Sequence, residues 1–120
     1  MSEQAIEQEV LEKDLNTLRI TPGEIEASIE RCFYFTGEDG VRGAMGQVPV
    51  VSDGYNRLGM LTFCVLILRN GFTVTGEYAC TSPKDFDSES SHNIARQNAV
   101  AKIGPLMGYQ LHSKLAGGEA

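Results

Sequence analysis

Seven side chains have the types and spacing to hold a flat, negatively charged ligand: Arg57, Tyr78, Asp85, Phe86, Asp87, His92 and Arg96. In the run Ser82-Pro83-Lys84-Asp85-Phe86-Asp87 two carboxylates flank an aromatic ring. The run reads as a strand-to-helix junction, where loops held by a rigid scaffold often carry function. Arg96, two helical turns further on, offers a planar fork of donors to a phosphate or carboxylate. Tyr78 or Phe86 can stack on a base, and His92 or Arg57 can meet further phosphate charge. Each residue also has a plainer role. Asp85 can shape the turn, Asp87 can cap the following helix, Phe86 can plug the core and Arg96 can sit in a surface ion pair.

No catalytic set emerges. The glycines from Gly37 to Gly46 lack the strand–turn–helix context and the following Lys-Ser/Thr of a phosphate loop. His92 and His112 fall in helical segments, and no serine sits in a nucleophile turn. The three cysteines, Cys32, Cys64 and Cys80, are odd in number and widely spaced, with no Cys-x-x-Cys pair. That spacing excludes a four-ligand zinc site and fits reduced, partly buried thiols. The expectation is a non-enzyme with no metal and no cofactor.

Charge narrows the partners. The chain has 120 residues, of which 42% are apolar, and carries 16 acidic against 10 basic side chains for a net charge of −6. Duplex-DNA binding draws its affinity from clustered basic residues that release counterions, and no such cluster exists. The acids are too dispersed to imitate a line of phosphates. No apolar run is long enough to span a membrane. The acidic start, MSEQAIEQEVLEKD, does not resemble a secretory signal. A cytoplasmic protein is therefore expected.

The elements read as one α+β domain over residues 1–120. Residues 1–20 contain an amphipathic helix, with Ile6, Val10, Leu11, Leu15 and Leu18 on one stripe. Thr21, Pro22 and Glu24 form a helix start with a capping box, and Ile25, Ile29 and Phe33 continue that helix on one face. Residues 36–59, interrupted by Gly37, Gly40, Gly43, Gly46, Gly54 and Gly59, read as a loop: a binding loop, a lid or a disordered segment. Residues 60–80 form a β-hairpin about Asn70-Gly71. A two-residue turn there pairs Ile67 with Val74, Val65 with Gly76 and Phe63 with Tyr78, which makes that face the core. Leu66 and Leu68 fall on the opposite face, to be covered by the N-terminal helix or a second subunit. Residues 87–115 form helices packed on the sheet, with Ile94, Ala95, Ala99 and Ile103 as the stripe and a break at Gly104-Pro105.

The second half of the chain resembles a family of small proteins of tailed phages and prophages, named for members in phage N4 and phage Sf6. The resemblance rests on an ordered series of pieces. These are the Asn70-Gly71-Phe72 hairpin, the Gly76-Glu77 and Ala79-Cys80 strand end, Pro83 with Phe86-Asp87, Ile94-Ala95-Arg96, and Lys102-Ile103 with Leu106, Gly108 and Tyr109. Tyr78, Asp85, Ser91, His92 and Gly104 depart from that pattern, where the family favours Ser, Asn, Gly, a basic residue and Trp.

The resemblance implies a phage accessory protein acting in the cytoplasm of an infected or lysogenic bacterium. Such proteins often counter host defence. By analogy the expected function is a homo-oligomeric sponge, a dimer or larger, that binds a nucleotide immune signal between subunits. The rival is an acidic inhibitor or adaptor that docks a host or phage protein. A nucleotide-modifying enzyme is a third reading.

Overall fold

The computed structural model describes residues 20–47 and 57–117. The helix expected in residues 1–20 lies outside them except at Ile20, as does the part of the 36–59 loop from 48 to 56.

Thr21 starts the first helix as its capping box requires. Its hydroxyl accepts from the Glu24 N–H at 3.1 Å, and its own N–H donates to the Glu24 carboxylate at 3.3 Å. This helix, α1, spans Pro22–Ala27 and no further. The expected continuation through Phe33 is wrong: Ile29–Thr36 is a strand, β1. IERCFYFT is rich in aromatic residues, which favour a pleated surface. A three- or four-residue apolar recurrence and a strand's alternation overlap in so short a run, so periodicity alone could not separate them.

The expectation of an irregular loop after Thr36 is also corrected. Thr36 and Asp39 repeat the reciprocal cap at 3.0 and 3.1 Å, and helix α2 runs over Gly37–Met45. It ends in a left-handed Gly46, whose N–H donates to the Arg42 carbonyl at 2.7 Å. Caps at both ends and an Arg42–Glu38 ion pair at 2.9 Å offset the helix cost of the two internal glycines, Gly40 and Gly43. A 3₁₀ turn at Arg57–Met60 then leads into β2, Leu61–Leu68, and β3 spans Thr73–Ala79. The three strands form an antiparallel sheet in the order β1-β2-β3.

The hairpin is present, but its register differs from expectation by one residue. Leu66 pairs with Val74, Cys64 with Gly76 and Thr62 with Tyr78. The loop has three residues, 69–71: Leu68 N–H donates to Phe72 O, and Gly71 N–H to Leu68 O, each at 2.8 Å. Only Gly71 takes a positive φ, +90°, whereas the two-residue turn would need one at Asn70 as well. Asn70 instead accepts from the Phe72 N–H at 3.0 Å. A one-residue slip exchanges the faces of one strand relative to the other. The core face of β2 is thus Thr62, Cys64, Leu66 and Leu68, joined by Val74 and Gly76 of β3, and Leu61, Phe63, Val65 and Ile67 lie on the other side.

Leu66 and Leu68 are covered by C-terminal helices. Asp87 caps α3, Ser88–Val100, and α4 spans Ile103–Gly117. Ala95, Ala99 and Ile103 are fully buried against the sheet. The helical break falls at residues 101–102 rather than at Gly104-Pro105 as expected, and Pro105 lies in the first turn of α4. That position tolerates proline, because its missing N–H would have had no helical partner. The seat of α3 is Gly76. A side chain there would collide with the Ala95 carbonyl and the Ala99 amide and come within 2.8 Å of the Ala99 Cα. Asn98 fixes the contact by donating to the Glu77 carbonyl at 2.9 Å.

Gly76→Ala should therefore lift α3 from the sheet and cost about 3 kcal/mol, at the upper end for overpacking against backbone. A urea melt reads this directly; an unchanged midpoint would mean that α3 does not rest on Gly76.

Candidate functional site

Because α3 lies over β3 and β2, the inner face of the edge strand β1 is only partly covered. Alternation along β1 turns Cys32 and Tyr34 toward this flank, with Phe33 and Phe35 opposite. On α3, His92 and Arg96 are four residues apart and share one helical face. The Tyr34 and His92 rings stack with centroids 4.3 Å apart and planes within 4°. One turn along, Arg96 makes a bidentate pair with Glu26 of α1, both N···O distances being 2.9 Å. Arg69 holds the end of α1, its Nε donating to Ala27 O at 2.6 Å and its backbone N–H to Ser28 O at 2.9 Å. The hairpin loop therefore helps to position Glu26.

Beside this pair opens a groove of about 410 Å³ lined by Glu26, Asn93, Arg96, Gln97, Val100 and Ala101. Its volume is within the range of small-molecule sites. The hydrogen-bonded Arg96 holds the Glu26 carboxyl below its usual range, and Glu26 raises the Arg96 guanidinium further above its own. With side chains 31% and 53% exposed, the pair contributes at most about 1 kcal/mol to stability, so a competing anion can displace Glu26 at modest cost.

Two neighbouring groups are held neutral. Burial pushes the Tyr34 phenol up to about 12, helped by its hydrogen bond with Cys32. Burial likewise raises Cys64 to about 12, with Cys32 next in effect. The Cys32 and Cys64 sulfurs share a thiol hydrogen bond at 3.6 Å and form no disulfide. A thiol so raised is a poor nucleophile at neutral pH.

The seven residues singled out from sequence are dispersed. Arg96 lines the groove and His92 stands one turn before it. Asp87 caps α3, accepting from the Ser90 N–H at 3.0 Å and the Ser90 hydroxyl at 2.6 Å. Asp85 is exposed in a 3₁₀ turn, its N–H donating to Ser82 O at 3.1 Å. Phe86 is half-buried at the junction, and Tyr78 packs against the core from β3. Arg57 lines a separate cavity with Met60, Ala79, Cys80 and Thr81. Sequence reasoning missed Glu26, Cys32 and Tyr34. Recognising β1 as a strand would have placed Cys32 and Tyr34 on one face; nothing local pairs Glu26 with a residue 70 positions away.

Among the described residues no group of three or more His, Cys, Asp or Glu side chains could hold a metal ion. No described helix is long and apolar enough to cross a membrane. Residues 20–115 match the model of the Phage protein (N4 Gp49/phage Sf6 gene 66) family. No curated protein and no solved structure matches the chain significantly.

The raised phenol gives a pH signature. Its neutral form is favoured by folding, so its contribution to stability is complete below the ordinary tyrosine value near 10 and is lost as pH rises through about 12. A difference absorbance titration of wild type against Tyr34→Phe should place the Tyr34 transition near 12; a midpoint near 10 would contradict its burial.

Proposed function

The chain belongs to this family of phage proteins, and we propose that it acts as an accessory protein that binds a nucleotide-type ligand without transforming it. In this reading it sequesters a nucleotide signal of host anti-phage defence in the cytoplasm of the infected cell. One observation carries the proposal: a partly exposed, bidentate-capable arginine lines an open groove of about 410 Å³. Guanidinium forks match phosphate oxygens in pairs, as they match carboxylate oxygens, so Glu26 occupies the place a phosphate would take. The ligand phosphate displaces the Glu26 carboxylate from Arg96. Asn93 and Gln97 supply amide donors and acceptors for a sugar or base edge. The stacked Tyr34–His92 pair supplies an aromatic wall one helical turn away.

Binding without turnover is the reading that these groups favour. The histidine nearest the groove is stacked on a phenol, and the Cys64 thiol beside that pair is held protonated by burial. Neither arrangement supplies an activated nucleophile.

Native mass spectrometry of the full chain against cyclic nucleotides and ADP-ribose derivatives tests the proposal. At least one ligand should bind stoichiometrically and be recovered unmodified. Arg96→Ala should weaken it by tenfold or more, roughly the loss of one charge-assisted hydrogen bond. Glu26→Gln should tighten it by removing the competing carboxylate. A chain that stays empty across the panel would overturn the nucleotide reading in favour of an acidic inhibitor or adaptor docking a protein.

A further inference from the structure

The sheet has a second face, which α3 and α4 leave open and which α2 reaches only at its Phe35 end, where Gly40 stands beside the Phe35 ring. Antiparallel pairing puts three rows on it: Arg31–Ile67–Thr73, Phe33–Val65–Thr75 and Phe35–Phe63–Glu77. Phe33 is 46% exposed and Phe35 37%, and the Phe35 and Phe63 rings stack at 5.4 Å. Ile67, Val65 and Phe63 run down the centre, while Thr73, Thr75 and Glu77 form one exposed margin. A contiguous aromatic and branched-aliphatic surface of this kind marks an interaction site.

The arrangement of charge says what fits there. Arg31 and Glu77 occupy opposite corners of these rows, with Val65 at the centre, and the bulge between Ile29 and Arg31 sets the exposed Glu30 beside Arg31. Neither the Arg31 nor the Glu77 side chain has an ion-pair or hydrogen-bond partner among the described residues. A two-fold axis through Val65, along the diagonal from Phe35 to Thr73, brings Arg31 of one copy to Glu77 of the other and the reverse. The same operation lays Phe33 over Phe63. The face is thus complementary to itself, as an isologous contact requires. With Glu30 counted it carries one net negative charge in a chain of net charge −6, so stacking two copies there adds little like-charge repulsion within the patch.

We propose that this outer sheet face is a two-fold interface between two copies of the chain, crossed sheet on sheet, with reciprocal Arg31–Glu77 pairs fixing its orientation. Sheets pack face to face in such crossed arrangements. The chain's own N-terminal segment is the less suited occupant. Its acids Glu3, Glu7, Glu9, Glu12 and Asp14 outnumber Lys13 and Arg19, and a face with two acids to one arginine offers them no balancing charge. It also joins α1, which packs with the helix layer through Ile25 and Glu26, on the other side of the sheet. The interface and the Arg96 groove lie on opposite sides, so the failure of one reading leaves the other standing.

Sedimentation velocity of the full chain over the micromolar range tests the interface. The expected species has twice the 13.1 kDa chain mass. Arg31→Glu or Glu77→Arg alone replaces two attractive pairs with two repulsive ones and should weaken the dimer about tenfold. The double variant, Arg31→Glu with Glu77→Arg, should restore the affinity. Both positions are exposed, so the variants are expected to fold, which circular dichroism checks. A monomer throughout the range would overturn the proposal, as would a dimer indifferent to either reversal or a double variant no tighter than the single ones.

Discussion

The contact on which the rest depends is the backbone-to-backbone approach of α3 to Gly76. A helix normally rides above a sheet on its side chains. Here Ala95 and Ala99 above and a bare glycine below let the two backbones approach closely. Asn98 adds a hydrogen bond from the helix to the strand carrying that glycine. The contact fixes both the height and the rotation of the helix. With Ala95 and Ala99 pressed on β3 and β2, the side occupied by His92 and Arg96 is turned toward β1.

That placement creates the groove. A helix centred over β2 and β3 cannot also cover β1, so Cys32 and Tyr34 are left at the flank with α1 beyond them. Tyr34 meets His92 there, and Arg96 reaches Glu26. The ion pair has two consequences. It ties α1 to the helix layer, and it holds the guanidinium fork oriented beside the opening, which lowers the ordering cost of binding an anion. The opposite face of the sheet gains no such cover from α3 or α4. The molecule therefore has one chemically differentiated side and one plain apolar side.

What could be read in the sequence was what short-range chemistry determines. The Thr21 and Asp87 caps, the hairpin's existence, the Ala95-Ala99-Ile103 stripe and the α+β class all rest on residues within one or two turns of each other. Three features escaped because local patterns were degenerate. Ile25, Ile29 and Phe33 suit a helix, yet the same region alternates as a strand. The glycines after Thr36 hid a second capping box of the kind recognised at Thr21. Asn70-Gly71 serves a two-residue turn or the last two positions of a three-residue one, and that choice changes which side of β2 is buried. The site was half legible. Arg96 and His92 share a helical face in any register, whereas Glu26 and Tyr34 reach them only through tertiary packing.

A nitrogen-resolved NMR titration of the full chain with its best-bound nucleotide tests the site assignment most directly. Shift changes should centre on Glu26, Asn93, Arg96 and Gln97 and extend to His92, with the Arg96 side-chain resonances moving most. Changes centred instead on the cavity that Arg57 lines with Cys80 and Thr81, with Arg96 still, would contradict it.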